Sequence, residues 1–88
     1  MLIGMNVEQG DGVINSLGSQ AEFVNGELSS LQARVNELLG SWMGHSRSVF
    51  EESWNPWLAQ VQNILAQMEE MQRRLGATVE AFRNADKF

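Results

Sequence analysis

The chain has 88 residues, no cysteine and a formal net charge of −5, which describes one small domain without disulfide bonds or thiolate metal sites. Its few basic residues are dispersed, which argues against nucleic acid or an anionic membrane as a partner, because both reward basic patches. No apolar run approaches the ~20 residues of a membrane span, and the start lacks the basic segment and the long apolar run of a signal peptide.

The first half of the chain predicts a long helix at residues of about 11–40. Apolar residues recur in alternating steps of three and four between Ile14 and Trp42, the periodicity of a helix that packs along a seam. Asn6 and Asp11 are alternative N-caps for this helix, and because Gly10 weakens a helix, we expect fraying before about Asp11. The packing residues predicted here are Leu17, Val24, Leu28, Leu31, Val35 and Leu38.

Phe23 is the exception on this helix, because it lies outside the apolar stripe. Single exposed apolar residues are common on protein surfaces. The alternative is a second contact surface, and the residues alone leave both readings open.

Residues 41–45, Ser-Trp-Met-Gly-His, are predicted to form the bend between two helices. Trp42 continues the seam of the first helix and is expected to close the end of the packing. Gly44 suits a turn conformation that costs more for a residue with a Cβ atom. Ser46 is a candidate N-cap of the second helix, with His45 and Gly44 as alternatives. A connection this short makes the two helices antiparallel neighbours.

The second half predicts a helix at residues of about 46–84 with the same apolar steps. Leu58, Leu65 and Val79 add a flanking row, which makes the stripe wide enough for a helix that touches two neighbours. Pro56 lacks a backbone donor and clashes with the carbonyl of Glu52, so we expect a kink there or a fresh helical turn. The packing residues predicted here are Phe50, Trp54, Trp57, Leu58, Val61, Ile64, Leu65, Met68, Met71 and Leu75.

These elements predict an all-α fold, a single domain of residues 1–88 that forms an antiparallel two-helix hairpin with frayed ends. One hairpin has a single helix–helix seam, which would leave a larger apolar patch in water than monomers usually show. Two hairpins paired as a four-helix bundle cover such a patch. We therefore expect a dimer, either of two copies of this chain or of this chain with a related hairpin.

Nothing in the residues indicates catalysis. His45 is the sole histidine, and without cysteine or a second histidine it lacks the partners of a typical metal cluster. Adjacent acidic residues such as Glu51 and Glu52 point in different directions on a helix, so they do not form an acid–base pair. No phosphate-binding loop or nucleophile motif is present. We expect a protein that is not an enzyme and that holds no cofactor or metal ion.

The bend suggests a family. A chain of just under a hundred residues with two heptad helices around a central Trp42-Met43-Gly44 resembles the WXG family, the small helical hairpins related to the early secreted antigens of mycobacteria. Phe50 and Trp54 lie where members of that family often carry aromatic residues on the second helix.

The family also has a C-terminal export signal, in which a Tyr is followed four residues later by an acidic residue. Phe82 and Asp86 have that spacing here, with Phe in place of Tyr. The replacement keeps the aromatic ring but loses the hydroxyl group. The resemblance implies that these two residues form the export signal of this chain.

For function, the resemblance implies type VII secretion, in which a membrane complex with an ATPase motor exports folded dimers. The chain would then be made in the cytoplasm and secreted without a conventional signal peptide, as a substrate and as an escort for other cargo. The heptads alone support an intracellular coiled-coil adaptor equally well. A third alternative is a membrane-active helix, but the acidic charge and the stripe suited to protein packing count against stable membrane insertion.

Overall fold

The computed structural model describes residues 4–85, which form two α-helices joined by a short bend. Helix α1 spans Val7–Ser41 and helix α2 spans His45–Ala85. The helices pack side by side in an elongated hairpin with dimensions of 68 × 19 × 15 Å. The predicted all-α hairpin is therefore confirmed.

Helix α1 begins at Val7, earlier than the predicted start near Asp11. Asn6 is the N-cap: its backbone is extended and its side-chain oxygen accepts a hydrogen bond of 3.0 Å from the backbone N–H of Gln9, which satisfies one of the unpaired donors of the first turn. Of the two alternative N-caps, the structure uses Asn6 and not Asp11, and the fraying expected before Asp11 stays a prediction.

Gly10 explains why the first turns of α1 are held in place. This residue is buried, and a Cβ atom built on it would lie 2.6 Å from Cγ2 of Val79 on α2. The glycine thus permits a close approach of the two helices, and the side chain of Val79 is only 1% exposed. The helix propensity lost at Gly10 is offset by this contact, which sequence periodicity alone does not reveal.

The bend is shorter than predicted, because only residues 42–44 lie between the two helices. Helix α2 begins at His45, so Gly44 occupies the position before its first residue, and the carbonyl oxygen of Gly44 accepts a hydrogen bond of 3.3 Å from the N–H of Arg47. Ser46 is inside α2 and is not its N-cap. Gly44 has a φ of +102°, so the expected turn conformation is confirmed.

Pro56 lies inside α2, which is helical without interruption from His45 to Ala85. The alternative of a fresh helical turn at the proline was therefore wrong. Both Pro56 and Glu52, whose carbonyl loses its intrahelical partner, are solvent-exposed. Water can satisfy that carbonyl, which is why a proline is tolerated here.

The core of the hairpin is thin. Among residues 4–85 the buried apolar side chains are Leu28, Val35, Leu39 and Val79. The buried residues of α1 run from Gly10 near its start to Leu39 near its end. Relative to the seven-residue repeat, their position shifts from one flank of the apolar stripe to the other. The shift arises because a straight α-helix drifts ~20° per heptad relative to a strict seven-residue repeat.

Two polar contacts join the helices toward the open end of the hairpin, away from the bend. The side-chain amide of Gln72 donates a hydrogen bond of 3.3 Å to the backbone carbonyl of Ile14. Arg83 forms a salt bridge of 2.6 Å with Asp11. Both contacts connect α1 to α2, so they help to align the two helices in one register.

Candidate functional site at the bend and the apolar face

The bend is closed by the side chain of Trp42. Helix α1 ends at Ser41, and Trp42 follows in an extended conformation with φ −89° and ψ 119°. Its indole N–H donates a hydrogen bond of 3.0 Å to the hydroxyl oxygen of Ser46 in the first turn of α2. The tryptophan is half-buried, so it ties the two helix ends together and still presents part of its ring to solvent.

Four aromatic rings continue from the bend along α2. The ring centroids of Trp42 and Phe50 are 5.4 Å apart, those of Phe50 and Trp54 are 6.1 Å apart, and those of Trp54 and Trp57 are 5.3 Å apart. These separations lie in the range in which aromatic pairs attract each other beyond simple burial of area. The bend residue and the start of α2 therefore form one aromatic cluster.

This cluster leads into an open groove between the helices. The groove has a volume of about 580 Å³ and is lined by apolar side chains that include Val24, Leu31 and Trp57, with Glu27 and Arg34 also in its lining. Leu31 and Trp57 are 39% and 42% exposed. Concave apolar surfaces of this kind are usual places for a partner to bind.

The groove belongs to a longer surface, here called the apolar face and made of Val24, Leu31 and Leu38 on α1 and Trp57, Ile64 and Met71 on α2. Residues seven apart on a straight helix differ in direction by only ~20°, so each of these rows follows one side of its helix. Leu38, Ile64 and Met71 are about half exposed, at 50%, 51% and 51%. The hairpin alone therefore leaves both rows largely uncovered.

The opposite face of the hairpin is acidic. A smaller pocket of about 280 Å³ there is lined by Glu22 and Glu69 together with small and polar residues, among them Gly18 and Gln72. Two carboxylates at one pocket repel a second acidic surface. The two faces of the hairpin thus differ in chemical character.

The structure divides the predicted packing residues into three groups. Within the hairpin, Leu28 and Val35 are buried. The hairpin covers another group only in part, and its role in a dimer stays a prediction: Leu31, Leu38, Trp57, Ile64 and Met71. The remaining members are half-buried: Leu17, Val24, Phe50, Trp54, Leu58, Val61, Leu65, Met68 and Leu75.

Two buried residues, Leu39 and Gly10, are absent from the packing residues that the sequence pattern predicts. The seven-residue pattern continues through Leu38 and so does not mark its neighbour Leu39 as a packing residue. Gly10 was read only as a weak helix former. In a helix as long as α1 the buried side rotates relative to the seven-residue repeat, so the burial of Leu39 follows from the length of the helix. No feature of the sequence around Gly10 identifies Val79 as its contact.

Phe82 and Asp86 are the predicted C-terminal pair. Phe82 is half-buried on α2, and the neighbouring Arg83 binds Asp11 and Glu80. Asp86 lies outside the described residues. The pairing of Phe82 with Asp86 as an export signal therefore stays a prediction.

Charged groups elsewhere form surface ion pairs. Hydrogen bonds from Arg73 and then Arg74 lower the pKa of Glu70 from 4.5 to about 2, and the carboxylate in turn raises the pKa of Arg73.

His45 is exposed at the bend. Within residues 4–85, no three acidic or histidine side chains are grouped closely enough to hold a metal ion. Neither α1 nor α2, over the same part of the chain, is long and apolar enough to cross a membrane.

Comparison with known proteins gives one match. The family model WXG100, described as proteins of 100 residues with WXG, matches residues 2–87. No curated protein matches the chain, and no solved structure does. The Trp-x-Gly motif in the description corresponds to residues 42–44, where the structure places the bend.

Proposed function

Because the chain belongs to the WXG100 family, the small helical hairpins that are substrates of type VII secretion, we propose that it is a non-enzymatic protein exported as a folded dimer. It pairs with a helical hairpin through the apolar face and is recognised by the motor ATPase of a type VII system. It leaves the cytoplasm without a conventional signal peptide and escorts other cargo.

The observation that best supports dimerisation is the large solvent-exposed area of the single hairpin. The chain exposes 6800 Å², whereas a compact monomer of this mass exposes about 5,200 Å². An excess of roughly 1,600 Å² per chain matches the area that stable, largely apolar dimers cover. Burial of the apolar face against a partner would gain about 25 cal/mol for each Å² of apolar area removed from water.

The bend and the C-terminal end are the proposed recognition elements. Trp42 is held by its hydrogen bond to Ser46 and by its ring contact with Phe50, so its position does not depend on a partner. Phe82 and Asp86 are four residues apart, which places them on one side of a helix if α2 continues to Asp86. A receptor can therefore read an aromatic ring and a carboxylate together.

Export is tested by measuring the protein in cell-free culture filtrate of its native host, with and without the type VII motor ATPase. A cytoplasmic marker measured in the same samples controls for lysis. We expect the protein outside the cells only when the motor is active. If it stays inside in both strains while another family member is exported, it is an intracellular helical adaptor and the export proposal is wrong.

Three variants test which residues are recognised during export. Trp42→Ala and Asp86→Ala are each expected to reduce export, provided that circular dichroism shows the variant to be folded. Phe23→Ala is the matched control, because it also removes an aromatic ring from α1 but from a side chain that is 65% exposed and lies outside the apolar face. Loss of export in the control as well would mean that the assay reports folding and not recognition.

A further inference from the structure

We infer that Asp11 on α1 is a positioning residue for the C-terminal recognition element: through its salt bridge with Arg83 it fixes the turn of α2 that presents Phe82. The inference rests on the proposed function, because that function assigns Phe82 to the export signal. It adds to the signal a residue from the opposite end of the chain.

The salt bridge between Asp11 and Arg83 differs from the other ion pairs of the hairpin. Nη2 of Arg83 lies 2.6 Å from Oδ2 of Asp11. The other ion pairs among residues 4–85 join side chains three or four positions apart on α2, and such pairs support a helix without placing it against a neighbour. Within the described residues, Asp11 and Arg83 thus form the ion pair that joins the two helices.

The guanidinium group of Arg83 is held on two sides. Its Nη2 donates to Asp11 on α1, and its Nη1 donates a hydrogen bond of 3.0 Å to Oε2 of Glu80 on α2. A guanidinium is a rigid planar fork whose donors can bind two carboxylates at once. The side chain of Arg83 is therefore directed toward α1 by groups on both helices.

The salt bridge adds a second attachment point next to the closest approach of the helices. Val79 packs on Gly10, Arg83 follows Val79 by four residues on α2, and Asp11 follows Gly10 directly on α1. Packing at Val79 alone would leave the end of α2 free to rotate about its own axis. A second contact about one helical turn farther along fixes that rotation.

The end of α2 has little of α1 left to pack against. Because the two helices of the hairpin are antiparallel, each step forward from Val79 matches a step back from Gly10, which places Arg83 roughly level with the N-cap Asn6. The last four carbonyl groups of a helix also lack intrahelical partners, and helix ends open more easily than helix centres. A tie from Arg83 to Asp11 therefore has its largest effect on this last turn.

The rotation of this turn decides which way Phe82 faces. Phe82 and Arg83 follow Val79 by three and four residues, so they point ~60° to one side of it and ~40° to the other. With Val79 seated on α1 and Arg83 held by Asp11, Phe82 lies on the opposite flank of the contact, where it is half-buried. Loss of the salt bridge would release this orientation.

Helix capping does not account for Asp11. The N-cap of α1 is Asn6, which accepts the hydrogen bond from Gln9. A carboxylate near a helix N-terminus is favourable for the helix macrodipole, but the effect falls off within the first turn, and Glu8 is the acidic residue there. Glu8→Gln is thus a matched control that removes one carboxylate from the start of α1 and leaves the salt bridge to α2 intact.

The exposure of the pair separates positioning from a general role in stability. The side chains of Asp11 and Arg83 are 47% and 40% exposed, and ion pairs this accessible to water contribute little to the stability of a whole protein. Asp11→Asn is therefore expected to leave the urea midpoint nearly unchanged. Its effect should be confined to the end of α2.

Hydrogen exchange of the purified full chain, followed by NMR, tests the local effect. In Asp11→Asn the amides of residues 80–85 should exchange faster by a factor on the order of three, whereas those of residues 58–70 should not change. Arg83→Gln should give the same pattern, and the double variant should add nothing further, because both changes remove one contact. Unchanged exchange of residues 80–85 in Asp11→Asn would overturn the inference.

Export from the native host tests whether the position matters for recognition. Asp11→Asn should lower the export rate by a similar factor, Asp11→Glu should restore it by keeping the carboxylate, and Glu8→Gln should not change it. Normal export of Asp11→Asn, or reduced export with unchanged exchange, would show that Asp11 does not act by positioning Phe82. Unaltered protein that stays inside the cells would instead overturn the proposed function, while the exchange rates still decide whether Asp11 holds the end of α2.

Discussion

Replacing Gly10 by alanine tests whether the start of α1 is held by its contact with α2. In an exposed helix interior this replacement stabilises by about 0.5–1 kcal/mol, because alanine loses less backbone entropy on folding. At Gly10 the new Cβ atom would lie 2.6 Å from Cγ2 of Val79 and 3.1 Å from the sulfur of Met5. The sulfur belongs to a flexible side chain, so Val79 decides the outcome.

Val79 cannot move away easily. It is 1% exposed, and a β-branched side chain in a helix has one strongly preferred rotamer. Overpacking of this kind costs about 1–3 kcal/mol. After the gain in helix propensity, Gly10→Ala should lower the free energy of unfolding by about 1 kcal/mol. Gly12→Ala, with nothing within 4 Å of its Cβ atom, should instead raise it by about 0.5–1 kcal/mol.

When Val79 is also replaced by alanine, the effect of Gly10→Ala on the free energy of unfolding is expected to change sign. Val79→Ala alone should cost about 1.5–2.5 kcal/mol, because it removes two buried methyl groups. The Cβ atom added at Gly10 lies 3.8 Å from Cβ of Val79, which is an ordinary contact once the methyl groups are gone. In the Val79→Ala background, Gly10→Ala is therefore expected to stabilise the protein.

Urea unfolding followed by circular dichroism measures all four proteins at one concentration, since the stability of a dimer depends on concentration. The reasoning is refuted if Gly10→Ala stabilises the chain as much as Gly12→Ala does. It is refuted equally if the effects of Gly10→Ala and Val79→Ala simply add, because residues in contact should couple.

Three further predictions concern the bend and the surface. Gly44→Ala should lower the free energy of unfolding by about 1–2 kcal/mol in thermal or urea melts, since the φ of +102° is unfavourable for a residue with a Cβ atom; an unchanged stability would contradict this. Trp42→Phe should cost about 1 kcal/mol or more by losing the hydrogen bond to Ser46, and Ser46→Ala should add little in that background. An NMR titration should find the pKa of Glu70 near 2, with Arg73→Gln raising it. Because that pKa is lowered on folding, the stabilisation from Glu70 is present above about pH 4.5 and is lost as the pH falls toward 2. A Glu70 with an ordinary pKa would show that the ion pairs with Arg73 and Arg74 do not form in solution.

The sequence by itself determines that this chain is a hairpin of two helices with its bend at Trp42 and Gly44. Those features depend on local physics: apolar residues repeat in steps of three and four over both halves, and Gly44 supplies a backbone conformation that other residues avoid. The family resemblance also depends on these residues, and the match over residues 2–87 agrees with it.

Only the tertiary structure decides which part of the wide apolar stripe lies inside the hairpin. On α2 the row containing Leu58 and Val79 packs toward α1, whereas the row containing Trp57 and Ile64 faces outward. A stripe three residues wide per heptad has no local preference between these rotations, because burying either row gains similar apolar area. The choice is made by contacts between residues far apart in the chain, above all the close approach at Gly10, and that choice leaves the apolar face free for a partner.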